Sequence, residues 1–592
     1  MNVMNVINND LVLENIYPSI NESSFINNIS DRFEFNIPVM QEKNTCVSDS
    51  FKLSAYQIFL KNFISNETPY NSILIYHGTG TGKTCSAISI AENFRDVYHM
   101  KDRRIIILSS GNIKQGWYNN IYNQKKDAQC TGQTYKYLGK DLEDTKKKAD
   151  KLVKKYYDFF GYLEFTNRIR DIYDDECKII YNGKTINIPL YKLSPIDKSK
   201  EIDRGSDVEW KIDKVIYKGK VIERIKKSHK FKEICNSKYS NRVLIIDEAH
   251  NIRGNGNDES DDNLKYLRLL VENTRNLKLI LLSATPMYNK ANEIVDILSL
   301  LYANNDRDYS QLNSIFKNDE LVDVETLTRS VGGYVSYIKG GGEDKFPKKI
   351  YPKDNIIELS KNLPLYECKM NNYQRDKYLW IYENINTDTK LTKDSILKQC
   401  SNIIYPNDSK DIKNYYGVDG LNKIINYNST NNKYKYKKDA VRVFSEKNIE
   451  RYSTKIKMLL EKIKNSEGII FIYSQYIISG ILPIMLALEE NGYSNYSENI
   501  FDTNSKKNGL NYISLTANKT ISKNNDKLIE ICRSWENRNG EKIKIILGSN
   551  VATEGLDLKN IREIYIFDPW YHLKKLEQII GRGIRYCSHT DL

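Results

Sequence analysis

The chain lacks the sequence features that anchor a protein in a membrane or cross-link a secreted one. It has no apolar run of about 18 residues or more, so no membrane span is expected. The amino-terminal stretch, MNVMNVINNDLVLENIYPSI, has no basic segment followed by an apolar core and is not a secretory signal. The nine cysteines are scattered, and none forms a C-x-x-C pair. This pattern argues against zinc and disulfides and favours free thiols in a reducing, cytoplasmic compartment.

The composition is that of a globular, basic protein. Hydrophobic residues make up 40% and charged residues 28% of the 592 positions, which excludes a disordered chain. The net charge of +13 favours polyanionic partners, with nucleic acid first among them. An AT-rich coding sequence, which enriches Asn, Lys, Ile and Tyr, yields the same excess, so the charge does not decide the function.

A glycine-rich segment, HGTGTGKT, lies between an apolar run and a helical pattern. The order predicts a strand, a phosphate-binding loop and a helix, because backbone N–H groups and the helix amino terminus can surround a phosphate. Lys83 would reach the β- and γ-phosphates of ATP, and the Thr84 hydroxyl would bind Mg²⁺. The alternative is a plain glycine turn, since His77 stands where the motif has glycine. The predicted nucleotide-binding residues are His77, Gly78, Thr79, Gly80, Thr81, Gly82, Lys83 and Thr84.

Apolar runs that alternate with helical patterns predict an α/β fold with doubly wound parallel sheets. Such runs occur at 73–76, 103–110, 242–250 and 277–286, and again at 468–475, 543–549 and 562–570. The predicted domains are a polar arm at 1–50, a first α/β domain at 51–300 with an insertion at about 118–240, a linker or insertion at 301–450, and a second α/β domain at 451–592.

Two lysine-rich runs in the insertion have two interpretations. They are Lys146-Lys147-Lys148 and Arg224-Ile225-Lys226-Lys227. Such runs are most often solvated helix faces, and the alternative is contact with nucleic-acid phosphates.

Two acidic residues follow the apolar run that ends at Ile246. In a sheet with a phosphate loop, ligands gather at the carboxyl ends of the strands. Asp247 is then placed to hold Mg²⁺ through water, and Glu248 to deprotonate the attacking water. The alternative is a loop with ordinary exposed acids.

Other polar side chains are predicted around the same nucleotide. Ser283 and Thr285 supply two hydroxyls at the end of another strand. Gln57, on a predicted helix, offers the donor and acceptor that an adenine edge needs, although a surface glutamine would look the same.

A third group lies near the carboxyl terminus, in the pattern Q-x-x-G-R-x-x-R. Gln578, Arg582 and Arg585 form this pattern, and arginines three apart are neighbours on one helical face. Their planar charge suits phosphate oxygens, so closure of a second domain on the first would make them arginine fingers. Thr553, Glu554 and Asp557 follow a strand and could contact the backbone of a bound nucleic-acid strand.

The order of these motifs along the chain resembles that of superfamily 2 helicases and translocases. The motifs are YQ, GTGKT, Trp117 behind a strand, DEAH, SAT, TEGLD and QxxGRxxR. The resemblance covers most of 51–590. It implies two RecA-like domains with ATP and Mg²⁺ in the cleft between them. It also implies that His250, Ser283, Thr285, Thr553, Glu554 and Asp557 couple hydrolysis to movement.

A narrower resemblance points to helicase-like ATPases of large cytoplasmic DNA viruses, including poxviruses, and to relatives on yeast linear killer plasmids. It is carried by stretches such as VGGYVSYIKG, CSNIIYP and YSTKI and by the histidine that opens the phosphate loop. It implies a DNA helicase or translocase, with DNA favoured over RNA, that works with a viral-type RNA polymerase or transcription factor. The alternatives are an ATP-switched transcription-factor subunit that does not unwind DNA, and a nucleotide-driven machine unrelated to nucleic acid.

Overall fold

The computed structural model divides the chain into two compact units, Met1–Gly340 and Gly341–Leu592. The residues it describes are 16–37, 52–95, 103–110, 113–123, 130–173, 176–181, 184–189, 194–195, 215–217, 220–222, 231–252, 259–287, 290–339, 346–351, 356–358, 364–386, 390–503, 508–516, 518–523, 525–549, 558–568, 573–585, 587–590 and 592. Within these ranges, no helix has both the length and the apolar character needed to cross a membrane.

The first unit is built on a six-stranded, fully parallel sheet in the order β13-β1-β10-β9-β2-β3. Its strands are β1 (Ser72–His77), β2 (Ile105–Leu108), β3 (Tyr157–Phe160), β9 (Val243–Ile246), β10 (Lys278–Ser283) and β13 (Val335–Ile338). Smaller antiparallel pieces are β4 (Glu176–Tyr181), β5 (Lys184–Pro189), β6 (Ser194–Pro195), β7 (Val215–Tyr217), β8 (Lys220–Ile222), β11 (Phe316–Lys317) and β12 (Glu320–Leu321).

Both faces of the central strands of this sheet are buried, which is why those strands read as continuous apolar runs. In β9, Leu244 and Ile246 pack into one core, while Val243 and Ile245 pack into the other. The surrounding helices are α1 (Phe25–Ser30), α2 (Ala55–Phe63), α3 (Lys83–Arg95), α4 (Lys114–Ile121), α5 (Leu142–Tyr156), α6 (Tyr162–Tyr173), α7 (Phe231–Tyr239), α8 (Glu259–Glu272), α9 (Glu293–Ala303) and α10 (Val324–Val331).

The second unit contains a five-stranded parallel sheet in the order β19-β20-β21-β18-β22. Its strands are β18 (Ile469–Tyr473), β19 (Ser494–Asn495), β20 (Asn511–Leu515), β21 (Ile545–Gly548) and β22 (Ile561–Ile566), and the hairpins are β14 (Ile356–Glu358) with β15 (Pro364–Tyr366) and β16 (Ile425–Asn428) with β17 (Lys433–Tyr436). The helices are α11 (Asn372–Asn384), α12 (Lys390–Asn402), α13 (Gly417–Ile424), α14 (Ile449–Tyr452), α15 (Thr454–Asn465), α16 (Leu482–Glu490), α17 (Asn525–Arg533) and α18 (Leu573–Ile580). The predicted α/β class with two parallel sheets is confirmed.

Some predicted boundaries differ from those of the structure. Residues 301–450, expected to be a separate linker or insertion, are shared: β13 forms one edge of the first sheet, whereas α11 to α13 belong to the second unit. Strand β3, inside the predicted insertion, forms the other edge of the first sheet. Short or mixed segments such as these lack the long apolar run that marks a central strand.

The predicted polar arm at 1–50 also contributes to the core of the first unit. Phe25 and Phe35 are buried in the same cluster as Phe63 and Tyr70. The Phe25 and Tyr70 rings meet edge to face at 5.6 Å. Burial of such aromatic rings ties residues 16–37 to helix α2, although the segment shows no clear periodicity in the sequence.

The prediction of free cysteines is wrong for at least three residues. Cys85 on α3 forms a disulfide with Cys130, with 5.0 Å between their Cα atoms, and Cys587 is also disulfide-bonded. An odd number of cysteines carries no information about which of them packing brings together. The free cysteines among the described residues are Cys235, Cys368, Cys400 and Cys532.

The Cys85–Cys130 bond predicts a measurable contribution to stability. It joins residues 45 positions apart, and a loop of that length corresponds to about 4 kcal/mol of lost chain entropy in the unfolded state. Under non-reducing conditions, the parent should therefore be more stable to denaturant than the double variant Cys85→Ser/Cys130→Ser by about that amount.

Reductant provides the control, because it should abolish the difference between the two proteins. The double variant keeps Cys587, so any effect of the other disulfide is common to both. Equal unfolding midpoints without reductant would show that Cys85 and Cys130 are not joined in solution.

Candidate nucleotide site and catalytic strand ends

The glycine-rich segment forms the loop between β1 and α3. Gly80 and Gly82 have φ angles of +78° and +84°. This left-handed backbone conformation is unfavourable for residues that carry a side chain. A Cβ atom on Gly82 would also lie 2.8 Å from Nε2 of Gln57. The loop therefore needs glycine at these two positions, and it leads directly into the amino terminus of α3, where an anion is stabilised.

Lys83 is the cation of this loop. Its Nζ donates to the backbone carbonyls of His77 at 2.9 Å and Gly78 at 3.0 Å. The Thr81 hydroxyl donates to the Gly78 carbonyl at 2.8 Å and steadies the same turn. A lysine folded over a glycine loop at a helix amino terminus fits a polyphosphate.

His77 belongs to the strand, which explains why glycine is not required there. Its imidazole is buried, with Nε2 2.8 Å from the Ser336 hydroxyl and the ring edge to face with Tyr56. Burial, and to a lesser extent Lys83, lowers the pKa of His77 to about 4, so the ring is neutral at pH 7. The side chain supports the strand, and the backbone carbonyl meets Lys83.

Gln57 joins helix α2 to the phosphate loop. Its Oε1 accepts from the Ser54 backbone at 3.0 Å, which closes a capping box, and its Nε2 donates to the Gly82 carbonyl at 3.2 Å. The neighbouring Tyr56 hydroxyl donates to the Thr81 carbonyl. These contacts place Gln57 beside the loop, and its role in reading adenine stays a prediction.

Asp247 lies at the carboxyl end of β9 and is only 8% exposed. Its Oδ2 accepts from the Trp117 indole Nε1 at 2.8 Å, and its Oδ1 accepts from the Glu248 backbone at 3.0 Å. Burial and the adjacent Glu248 carboxylate raise the pKa of Asp247, while Trp117 and Lys83 oppose that rise. A buried Asp247 carboxyl with a raised pKa, next to a second acid, suits a divalent cation, whose charge would favour the ionised form of Asp247.

Glu248 occupies a strained position next to Asp247. Its φ angle is +45°, in the left-handed region. A non-glycine residue adopts this conformation at a cost of about 1–3 kcal/mol, and such residues are common at functional sites. Its Oε2 lies 3.4 Å from Nδ1 of His250. The two acidic side chains thus have different neighbours, because Glu248 lies near His250 and Asp247 contacts Trp117.

His250 connects the acidic turn to the end of the next strand. Its Nδ1 lies 3.1 Å from the Ser283 hydroxyl, and that hydroxyl accepts from the Thr285 backbone at 3.0 Å. All three residues are buried. The Thr285 hydroxyl oxygen has no hydrogen-bond partner among the described residues. The structure therefore brings together the predicted coupling residues of the first unit.

In the second unit, the expected helical placement of the two arginines is wrong. Helix α18 contains Gln578 but ends at Ile580, so Arg582 and Arg585 lie in the turns that follow. Gly581 and Gly583 flank Arg582, and glycine disfavours helix by about 1 kcal/mol. A Cβ atom on Gly583 would lie 2.8 Å from the Ile564 side chain, which favours glycine there.

The two arginines differ in their surroundings. Arg582 is buried, and Arg585 Nε donates to the Gly581 carbonyl at 3.3 Å. Thr553, Glu554 and Asp557 lie outside the described residues. The transition-state roles of Gln578, Arg582 and Arg585 stay predictions.

A buried charged network at the strand ends of the second unit was not predicted from the sequence. Asp568, just after β22, accepts from the Gln475 backbone at 2.8 Å and from the side chains of Ser474 and Asn402. Lys455 donates to Asn402 Oδ1 at 3.0 Å. Burial lowers the pKa of Lys455, and Asp568 opposes that change. The available signal was an acid directly after an apolar strand, the same pattern that marked Asp247.

Two family models match the two units separately. The family described as "Type III restriction enzyme, res subunit" matches residues 50–288, which include the phosphate loop and the ends of β9 and β10. The family described as "Helicase conserved C-terminal domain" matches residues 454–587, which include Lys455, Asp568 and the QxxGRxxR pattern.

Several relatives come from large DNA viruses, and two of them match nearly the whole chain. A protein of Acanthamoeba polyphaga mimivirus named as an ATP-dependent RNA helicase is 28% identical over 98% of this chain and 55% of its own length. A second mimivirus protein named in the same way is 25% identical over 97% of this chain and 87% of its own length. The early transcription factor 70 kDa subunit of Melanoplus sanguinipes entomopoxvirus is 26% identical over 60% of this chain and 53% of its own length. The chain thus spans about half of the first and third of these proteins.

The Trp117–Asp247 hydrogen bond predicts a role for Trp117 in metal binding. Trp117→Phe keeps a buried aromatic ring but removes the donor, so Asp247 loses one of its orienting contacts. Loss of a partner to a metal-binding carboxylate costs about 10- to 100-fold in metal affinity. We expect a matching rise in the Mg²⁺ concentration needed for half-maximal ATP binding, measured with a fluorescent ATP analogue.

Tyr118→Phe is the matched control, because Tyr118 is the next residue and its hydroxyl donates to Asp150, not to Asp247. Its Mg²⁺ dependence should match that of the parent. An unchanged Mg²⁺ dependence in Trp117→Phe would show that the indole N–H does not orient Asp247.

Proposed function

We propose that this chain, which carries the two halves of a superfamily 2 helicase core, is a nucleic-acid-dependent ATPase that translocates on or unwinds DNA. The observation that supports it most is the contact series from Asp247 and Glu248 through His250 to Ser283, at strand ends that adjoin the phosphate loop. The match at 50–288 covers these residues, and the match at 454–587 covers the QxxGRxxR pattern of the second unit.

In this proposal each residue of the first unit has a chemical task. The phosphate loop and Lys83 bind the triphosphate, and Thr84 and Asp247 hold Mg²⁺, which would neutralise phosphate charge when bound. Glu248 takes the proton of the attacking water as general base, a contribution of about 10²–10⁴ in rate. His250, Ser283 and Thr285 change their contacts when Glu248 changes its own, which would link hydrolysis to movement.

We further propose DNA as the polymer and a cytoplasmic, viral-type transcription or replication system as the setting. The poxvirus-like sequence stretches and the entomopoxvirus early transcription factor relative support this choice. The mimivirus relatives are named as RNA helicases, so RNA is the competing polymer. A viral-type RNA polymerase or transcription-factor subunit is the proposed protein partner, and carriage on a yeast linear plasmid stays a prediction.

A second candidate function is an ATP-switched promoter-binding subunit without strand separation. The early transcription factor relative favours it specifically. Both functions use the same ATP site, so strand displacement is what separates them.

Substitution in the ATP site should separate binding from hydrolysis. Lys83→Ala removes the phosphate-binding cation and should weaken ATP binding and abolish hydrolysis. Glu248→Gln keeps the shape of the side chain but removes the base, so it should still bind ATP while hydrolysis falls by about 10²-fold or more. Equilibrium binding and phosphate release measure the two effects.

Glu164→Gln is the matched control for charge, because Glu164 is an exposed residue of α6 that pairs with Arg168. It should hydrolyse ATP like the parent. Full hydrolysis in Glu248→Gln would remove Glu248 from the mechanism, and full hydrolysis in Lys83→Ala would overturn the assignment of the phosphate loop.

ATP hydrolysis should rise when DNA is added. The test compares single-stranded DNA, duplex DNA and RNA in a phosphate-release assay, with a strand-displacement assay on the same preparation. Stimulation by DNA with displacement supports a helicase, and stimulation without displacement supports a translocase or a switch. Hydrolysis that is indifferent to all three polymers would contradict the proposed function, and stimulation by RNA alone would overturn the choice of DNA.

A further inference from the structure

Helix α5 carries an unusual concentration of exposed lysines. Its buried face consists of Thr145, Ala149 and Val153, and the last two pack into a core of the first sheet. Most of the exposed residues of the helix are lysines: Lys146, Lys147, Lys148, Lys151, Lys154 and Lys155. The helix therefore has a basic face opposite an apolar one.

Three of these lysines form a line along the helix. Lys147, Lys151 and Lys154 are spaced i, i+4 and i+7, which places them on one side over a rise of about 10 Å. Side chains of this length can reach successive phosphates of an extended strand. We call this line, with the lysines beside it, the α5 lysine face.

The acidic residues of the helix neutralise only part of this face. Glu143 pairs with Lys147 at 2.9 Å and Asp144 pairs with Lys148 at 2.8 Å, both in the first two turns. The third acid, Asp150, accepts the Tyr118 hydroxyl from α4. Within the described part of the chain, no ion pair engages Lys146, Lys151 or Lys154. Beyond the second turn, the three lysines Lys151, Lys154 and Lys155 outnumber the single acid Asp150, so positive charge remains in excess there.

Helix stability explains only some of these lysines. Lys154 and Lys155 lie in the last turn, where cations interact favourably with the helix dipole. Lys147 and Lys148 gain from i,i+4 pairing with acids. Neither effect calls for Lys146 or Lys151, and surface pairs of this kind contribute little.

An exposed aromatic ring lies beside the amino end of the helix. Tyr137 is 74% exposed, and the Lys136 ammonium is 5.4 Å from its ring centroid. The segment is fixed to the helix because the Gly139 backbone donates to the Thr145 hydroxyl at 3.1 Å. An aromatic platform next to a lysine line is the combination that single-stranded nucleic acid binds, by stacking and by charge.

We propose that the α5 lysine face is a binding surface for the phosphate backbone of nucleic acid, with Tyr137 as a stacking platform at one end. The proposal rests on the proposed function, since it adds a contact for the polymer that stimulates the ATPase. Helix α5 ends at Tyr156 and β3 begins at Tyr157, so the lysine face runs beside the outer edge strand. It is separate from the strand ends that carry Asp247 and Ser283.

Salt dependence gives the test its quantitative readout. Each phosphate contact contributes about 0.7–0.9 to the slope of log affinity against log salt. The triple variant Lys147→Gln/Lys151→Gln/Lys154→Gln should lower that slope by about two units. The measurement is fluorescence anisotropy of a labelled single strand, and of a labelled duplex, titrated with the full chain at several salt concentrations.

Two matched variants control for charge and folding. Lys438→Gln/Lys447→Gln/Lys519→Gln removes the same charge from exposed lysines of the second unit and should keep the parent slope. Lys147→Arg/Lys151→Arg/Lys154→Arg keeps the charge of the helix and should also keep the slope. ATP hydrolysis without nucleic acid should be unchanged in all three variants, which verifies the fold.

The outcomes distinguish this inference from the proposed function. If the parent binds both probes and the α5 triple glutamine variant has the same salt slope as the parent, the inference is overturned and the proposed function is not. The α5 lysine face is then an ordinary solvent-exposed surface. If the second-unit control lowers the salt slope by the same amount, the inference is overturned as well, because the change in net charge then explains the effect. A parent that binds neither probe overturns the proposed function, and the inference falls with it.

Discussion

A buried carboxylate beside a second, partly buried one at the end of β9 is the constraint on which the first unit depends. Asp247 is nearly enclosed, and Glu248 follows it directly. In a medium of low polarity, charges of the same sign at this distance are costly unless donors or cations compensate for them. The surrounding elements supply that compensation: α4 brings the Trp117 indole, α6 brings the Tyr162 hydroxyl to the Asp247 carbonyl, and the phosphate loop brings Lys83.

The left-handed backbone at Glu248 follows from the same constraint. In an extended continuation of β9, His250 would lie two residues, or about 7 Å, beyond the register position of Ser283. The turn at Glu248 instead starts a short 3₁₀ segment, Ala249–Asn251, that returns His250 to Ser283. The conformational cost of a non-glycine residue there is offset by the buried contacts of His250 and Ser283.

The sequence predicted best the elements that are fixed by local chemistry. The central strands read as apolar runs because both their faces are buried, and the phosphate loop is defined by glycines that the backbone requires. The placement of Arg582 and Arg585 was predicted less well, because the flanking glycines end α18 early. The Cys85–Cys130 bond, the edge strands β3 and β13 and the contacts of Lys455 depend on tertiary packing, and no local pattern encodes them.

The two units share an acid at a strand end, but only one of them has the electrostatics of a cation site. Asp568 accepts hydrogen bonds from Ser474, Gln475 and Asn402, and the buried Lys455 supplies a positive charge within the same network. Asp247 has a carboxylate as its immediate neighbour instead. The negative charge of Asp568 is already offset by Lys455, so a bound cation would add little stabilisation there. At the end of β9 a cation would offset the negative charge of two neighbouring acids. The difference in neighbours, and not the acid itself, is the reason why we propose metal binding for the first unit and a supporting role for Asp568 in the second.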